Sequence, residues 1–121
     1  MRKAKKTILI VDDEKDIRTL YKEIFGKKYK VLLAKDGEEG LKQIFAKKPD
    51  LVILDIKMPK MNGLEVLRKA KSFYPTLPII LFSAFSSYKT VYAASLADAF
   101  VVKSPNLLEL TETVHNFLNH N

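Results

Sequence analysis

The sequence predicts a three-layer α/β fold: a parallel sheet of five strands with helices on both faces. Three observations predict it. Short apolar runs rich in Val, Ile and Leu recur five times. The segments between them carry apolar residues at helical spacing. Polar residues with chemical potential stand directly after four of the runs. Strict alternation of near-continuous apolar strands with helices implies a parallel sheet buried on both sides, with right-handed crossovers.

The elements follow in order. Ile8–Val11 is a buried strand. Ile17, Leu20, Tyr21, Ile24 and Phe25 fall at the i, i+3, i+4, i+7, i+8 positions of an amphipathic helix over 16–25, and Gly26 ends it. Tyr29–Ala34 is the second strand, with Lys30 marking an exposed edge. Asp36-Gly37 punctuates, and 38–45 is a helix with Leu41, Ile44 and Phe45 inward. Pro49-Asp50 introduces the strand Leu51–Leu54. Asn62-Gly63 opens a helix with Leu64, Val66, Leu67 and Ala70 apolar, and Pro75 lies beyond its end. The fourth strand is 79–82, ending at Ser83-Ala84. A weaker pattern predicts a helix over 86–96. Phe100–Val102 is the fifth strand, and 105–118 is the last helix, with Leu107, Leu108, Leu110, Val114, Phe117 and Leu118 apolar.

At 121 residues the chain is read as one domain over 1–121, with a basic tail at 1–6 and no output domain. No apolar stretch approaches the roughly 20 residues of a membrane span, and no signal peptide follows the basic start. The chain has no cysteine, which excludes disulfides and thiolate metal sites. These features predict a cytoplasmic protein with no membrane partner. The net charge of +7 is read as a solvated tail and lysine-rich helix faces, four charges coming from Arg2, Lys3, Lys5 and Lys6. No nucleic-acid motif accompanies it.

In an open parallel sheet, ligands bind beyond the carboxyl ends of the strands. The residues there are Asp12-Asp13, Asp55, Ser83 and Lys103. Each has an ordinary structural explanation alone: helix capping for the first pair, a turn acid, a structural serine, a surface lysine. Their joint placement at four strand ends points to one polar site. Clustered carboxylates repel unless a cation compensates. All-oxygen ligands predict a hard cation, Mg²⁺ or Mn²⁺; His115 and His120 lie elsewhere. Such a site suits phosphoryl transfer, in which positioning and charge neutralisation dominate.

The motifs Ile8-Leu9-Ile10-Val11-Asp12-Asp13-Glu14, Leu54-Asp55-Ile56-Lys57-Met58-Pro59-Lys60-Met61-Asn62-Gly63, Ser83-Ala84 and Phe100-Val101-Val102-Lys103 carry a resemblance. From about Lys6 to Leu118 the chain resembles the response-regulator receiver domains of two-component signalling, in particular single-domain chemotaxis and sporulation-phosphorelay regulators. The resemblance implies a flavodoxin-like (βα)5 sandwich with strand order 2-1-3-4-5. It makes Asp55 the phosphoacceptor and Asp13 the direct metal ligand. Asp12 becomes an acid holding the ion partly through water, and the Lys57 carbonyl a further ligand. Lys103 pairs with Asp55 and then with the phosphoryl group. Ser83 and the Ala84 N–H meet the same group, and Phe100 is the aromatic switch. The implied partners are a sensor histidine kinase or histidine phosphotransfer protein and a downstream protein target. The surface of the fourth predicted helix, fifth strand and last helix would read out the state of a monomer whose dimerisation on phosphorylation is left open.

The sequence departs from the family pattern at three places. Ser104, not proline, follows Lys103; a cis bond there would cost about 3–4 kcal/mol. Leu96 stands where glycine is common, and Phe100 lacks a tyrosine hydroxyl. Lys57 and Phe85 flank the expected path of hydrolytic water, and neither is a good base, which predicts slow loss of the phosphoryl group. The alternatives are an aspartyl-phosphate phosphatase of similar architecture and a receiver that binds proteins without phosphorylation. The first wants Asp-x-Asp after strand 1, where this chain has Asp12-Asp13-Glu14. A nucleotide-binding module would want a Gly-rich loop there.

Overall fold

The computed structural model describes residues 4–85 and 92–119. Its strands are β1 (Thr7–Val11), β2 (Lys30–Ala34), β3 (Leu51–Leu54), β4 (Ile79–Ser83) and β5 (Ala99–Val102). Its α-helices are α1 (Lys15–Phe25), α2 (Gly37–Lys47), α3 (Gly63–Phe73) and α4 (Leu108–Leu118), and a 3-10 turn spans Tyr92–Leu96. The sheet is parallel throughout, in the order β2-β1-β3-β4-β5, as the resemblance implies. Among the described residues no helix is long and apolar enough to cross a membrane.

Side chains of a strand alternate between faces, and the core divides accordingly. Ile8, Ile10, Leu51, Ile53, Ile80 and Phe82 pack with Tyr21 and Phe25 of α1 and Leu110, Val114 and Leu118 of α4. Leu9, Val11, Val52, Leu54, Ile79 and Leu81 pack with Ile44 of α2 and Val66, Leu67 and Ala70 of α3. β2 lies at the sheet edge, and its strand is only partly buried.

Several sequence expectations shift. Leu20, Phe45 and Leu108 are exposed, not inward: an apolar stripe at 3.6 spacing is wider than the face each helix presents. Phe45 instead meets Phe73 edge-on, with ring centroids 5.1 Å apart, and Tyr74 at 5.6 Å. The last helix begins at Leu108, three residues beyond Pro105, because Asn106 turns the chain first: its Oδ1 accepts from the Leu108 N–H. Residues 86–91 of the expected fourth helix lie outside the described residues, and 92–96 form the 3-10 turn.

Three local features shape the carboxyl edge of the sheet. Asp36 caps α2, its Oδ1 accepting from the Glu39 N–H at 2.8 Å, and this hydrogen bond holds its carboxyl below the usual range. Asn62 caps α3 by accepting from the Glu65 N–H. Between β3 and α3 the backbone folds back tightly. The Gly63 N–H donates to the Ile56 carbonyl at 2.8 Å, and a Cβ on Gly63 would lie 1.9 Å from the Asp55 carbonyl oxygen. Only glycine fits that approach.

Candidate functional site at the carboxyl edge of the sheet

β1 and β3 are neighbours in register, so their ends deliver Asp12 and Asp55 side by side. The Asp55 N–H donates to the Val11 carbonyl at 3.0 Å, extending the strand pairing by one residue. The Asp12 N–H donates to Ala34 at 3.1 Å in the same way on the other side. Both carboxylates are buried, with 2 % and 7 % of their residues exposed. Asp13, one residue further out, is exposed. Ligand oxygens of Asp12, Asp13 and Asp55 all lie within 4.8 Å of one another.

Lys103 reaches across from the end of β5. Its Nζ donates to Asp12 Oδ2 at 2.7 Å and to Asp55 Oδ2 at 3.3 Å. Its backbone N–H donates to the Ser83 carbonyl at 2.8 Å, which fixes where the side chain starts. No cis peptide bond occurs among the described residues, so the family's proline is not needed to aim this lysine.

The electrostatics follow from this geometry. Burial pushes the Asp55 carboxyl up to about 6; Lys103 works against that and Asp12 adds to it. For Lys103, burial disfavours the charge, but the contacts with Asp12 and Asp55 prevail and hold its pKa above the usual lysine value. Burial likewise pushes the neighbouring Tyr21 hydroxyl up to about 12, so it stays neutral. One lysine thus faces three carboxylates, an excess of negative charge that a hard cation would relieve.

The other predicted residues are placed as follows. Ser83 is buried, and its Oγ accepts from the Phe85 N–H at 3.1 Å. Ala84 is exposed beside it. Lys57 is exposed; with Asp13, Ile56, Met58, Pro59 and Asn62 it lines an open depression of about 380 Å³. Its ammonium lies 5.0 Å from the centre of the Phe85 ring, a cation–π contact between two opposite walls of the site. Phe100 is partly buried against the α2–α3 side of the core. The structure therefore brings Asp12, Asp13, Asp55 and Lys103 into one constellation. Ser83 and Ala84 stand at its rim, and Phe100 lies behind.

Three contributors escape sequence reasoning. Arg18 donates from its guanidinium to the Asp12 carbonyl at 2.7 Å, a contact without any motif. Asp12 Oδ1 accepts from the Glu14 N–H at 2.9 Å, which fixes its carboxylate; Glu14 itself occupies the cap position of α1. Lys60 adopts a left-handed φ of 69° and reaches Asp36 at 3.7 Å, tying the loop after Asp55 to α2. A lysine signals nothing of this in sequence.

The response regulator receiver domain profile matches residues 8–115. The chain belongs to the response regulator receiver domain family. Among solved structures it is similar to the response regulator TrrA of Thermotoga maritima in complex with Mg²⁺ and BeF. That likeness has a TM-score of 0.90 and 45 % identity, over 93 % of this chain and 99 % of the other. TrrA bound to the histidine kinase ThkA gives a TM-score of 0.86 at 45 % identity, over 93 % of this chain and 98 % of that one. Sporulation initiation phosphotransferase F of Bacillus subtilis is 32 % identical, over 92 % of each chain. The transcriptional regulatory protein ZraR of Salmonella typhimurium is 35 % identical over 99 % of this chain. The chain spans only 28 % of that relative's length. Receiver domains of two-component response regulators are phosphoacceptor signalling domains, and the carboxylate cluster fits the Mg²⁺ site of such a domain.

Proposed function

We propose that this receiver accepts a phosphoryl group on Asp55 from a phosphohistidine of a sensor kinase or phosphotransfer protein. One observation carries the reading: three carboxylates converge on one point, and a single lysine bridges two of them. The kinship to TrrA, solved with a kinase, supports a histidine kinase as donor.

Asp13 and Asp55, with Asp12 and the Lys57 carbonyl, are the groups suited to hold Mg²⁺. A bound Mg²⁺ supplies charge neutralisation for the carboxylates and the phosphoryl oxygens. An Asp55 carboxylate oxygen attacks phosphorus. The P–N bond to the donor imidazole breaks, the nitrogen keeps the electron pair and gains a proton, and an acyl phosphate forms on Asp55. The Ile56 N–H donates to Asp55 Oδ1 at 2.8 Å and holds the carboxylate in place for that attack. Lys103, already 3.3 Å from Asp55, can turn from Asp12 to a phosphoryl oxygen. Ser83 and the Ala84 N–H supply donors on the opposite side. Ser83 Oγ accepts from the Phe85 N–H and keeps its own O–H to donate as the hydroxyl moves toward the phosphoryl group. Its movement frees space behind the strand for Phe100, which shifts the balance between two surface states.

Lys57 and Phe85 meet across the site and leave it without a general base, so the acyl phosphate is long-lived for a receiver. Long life favours relay of the phosphoryl group or sustained partner binding.

The test is intact mass after incubation with acetyl phosphate and Mg²⁺. One phosphoryl group should add to the protein, and none to the Asp55→Asn variant or without the ion. No adduct on the wild type, or equal labelling of the variant, would overturn the reading.

A further inference from the structure

Beside the basic residues on its helix faces, the chain gathers seven lysines at one end of the fold. Helices in a parallel α/β fold run back toward the amino edge of the sheet, the pole opposite Asp55. That pole carries Lys5 and Lys6 before β1, Lys27 and Lys28 before β2 with Lys30 as its first residue, and Lys47 at the end of α2 with Lys48 after it. All seven are exposed, and none makes an ion pair among the described residues. Two acids share the loops of this pole, and only Asp98 is paired with a lysine, so the band holds seven lysines against the single unpaired carboxylate of Asp50. Asp50 accepts from the Thr7 N–H at 2.7 Å, and Asp98 takes Lys71 at 2.7 Å and the Ile79 N–H at 2.8 Å. The last turn of α1 adds one charge of each sign, Lys22 and Glu23.

The strand order turns this inventory into a surface. β2, β1 and β3 are consecutive, so the lysines form one band across three strand ends, roughly 10–15 Å wide at the usual strand spacing. The band continues into an aromatic cluster beneath β4: Phe45, Phe73 and Tyr74, with Phe73 66 % exposed.

We propose that this pole is an adsorption surface for an anionic lipid bilayer, the lysines facing phospholipid headgroups and Phe73 and Phe45 entering the interface. A broad basic band flanked by exposed aromatic rings is what such a surface attracts. Two other polyanions fit less well. Nucleic-acid phosphates favour the bidentate guanidinium, and the described basic residues of the band are all lysines. Phe45 also meets Phe73 edge-on and Tyr74 at a tilt, so the cluster forms an apolar wedge and not a row of parallel platforms for stacked bases. An acidic peptide would call for several lysines lining one channel; of the seven, Lys48 alone lines the cavity beside Phe73 and Tyr74, and Lys28 alone the one between α1 and α4. Such adsorption needs no membrane-spanning segment, but it departs from the sequence expectation of no membrane partner. Docked this way, the molecule keeps Asp55 turned away from the bilayer and open to protein partners.

The experiment is co-sedimentation of the full chain with vesicles of phosphatidylcholine containing one third phosphatidylserine, beside pure phosphatidylcholine vesicles, at low and high salt. Binding is expected on the anionic vesicles only and should weaken with salt. Each lysine near such a surface strengthens adsorption roughly fivefold, so Lys27→Glu with Lys47→Glu should weaken it at least about 25-fold. Lys15→Glu with Lys35→Glu makes the same change in net charge at the far edge and should leave binding nearly intact. Phe73→Ser should remove the part of the binding that resists salt. Thermal midpoints check the variants; if the first pair melts early, Lys5→Gln with Lys28→Gln probes the same band. Three results would overturn the proposal: no partition onto anionic vesicles, equal losses from both lysine pairs, or tighter binding to duplex DNA or to polyglutamate at the same salt.

Discussion

Replacing Asp55 by asparagine should stabilise this protein when no divalent ion is present. Asp55 is buried beside Asp12, and burial lifts its carboxyl from 3.8 to about 6. The folded state therefore binds this proton more tightly than the unfolded state. Between pH 3.8 and about 6 the folded form carries the extra proton, so stability falls as pH rises through that window. The penalty is absent below it and complete above it. About 2 units at 1.36 kcal/mol each give a cost of about 3 kcal/mol at pH 7.5. Asparagine removes the charge and keeps an amide oxygen for the Ile56 N–H. Unfolding entropy of about 2.1 cal/mol/K per residue makes 1 kcal/mol worth roughly 4 °C in a chain this long. Thermal melts in EDTA should thus place Asp55→Asn roughly 10 °C above the wild type at pH 7.5. At pH 4.5 the gap should shrink to a few degrees. Adding Mg²⁺ should raise the wild type more than the variant. A variant that melts at or below the wild type, or a gap that ignores pH, would refute the view that Asp55 is a strained carboxylate awaiting a counter-charge.

Lys103→Met leaves buried Asp12 and Asp55 without their cation and should cost about 3 kcal/mol at neutral pH without Mg²⁺; melts should show Asp12→Asn restoring much of it. Gly63→Ala drives a methyl into the Asp55 carbonyl and should cost about 3 kcal/mol or more in denaturant unfolding. Phe85→Glu should place a base near the acyl phosphate and quicken its loss roughly a hundredfold, the low end of what a positioned base contributes; an unchanged decay by mass, or rapid decay in the wild type, would contradict this.

Much of this molecule was legible in its sequence because buried parallel strands write themselves as unbroken apolar runs. Leu51–Leu54 was found with its bounds, and the acids and the lysine at the strand ends followed directly. The strand order was not legible from periodicity and came from the family motifs. The exposed apolar positions Leu20, Phe45 and Leu108 have a physical reason. Helical spacing shows that Phe45 and Leu108 share a stripe with core residues, but not how far the neighbouring layer extends over that stripe. Residues that hold the site without reacting were also silent. Arg18 acts through a backbone carbonyl six residues away, and Lys60 through an unusual φ, and neither requirement leaves a pattern. Net charge was legible in size and not in place: seven lysines scattered along the chain become one pole only when the loops between helix and strand are brought to the same edge.

Of the three clustered carboxylates, we assign the phosphoryl group to Asp55. Borohydride reduction of the acetyl phosphate-treated protein, followed by peptide mass mapping, tests it directly, because reduction converts an acyl phosphate carboxyl to an alcohol and leaves free carboxylates alone. The mass change should fall in the peptide containing residue 55 and depend on Mg²⁺. The change at Asp12 or Asp13, or at none of the three, would contradict it.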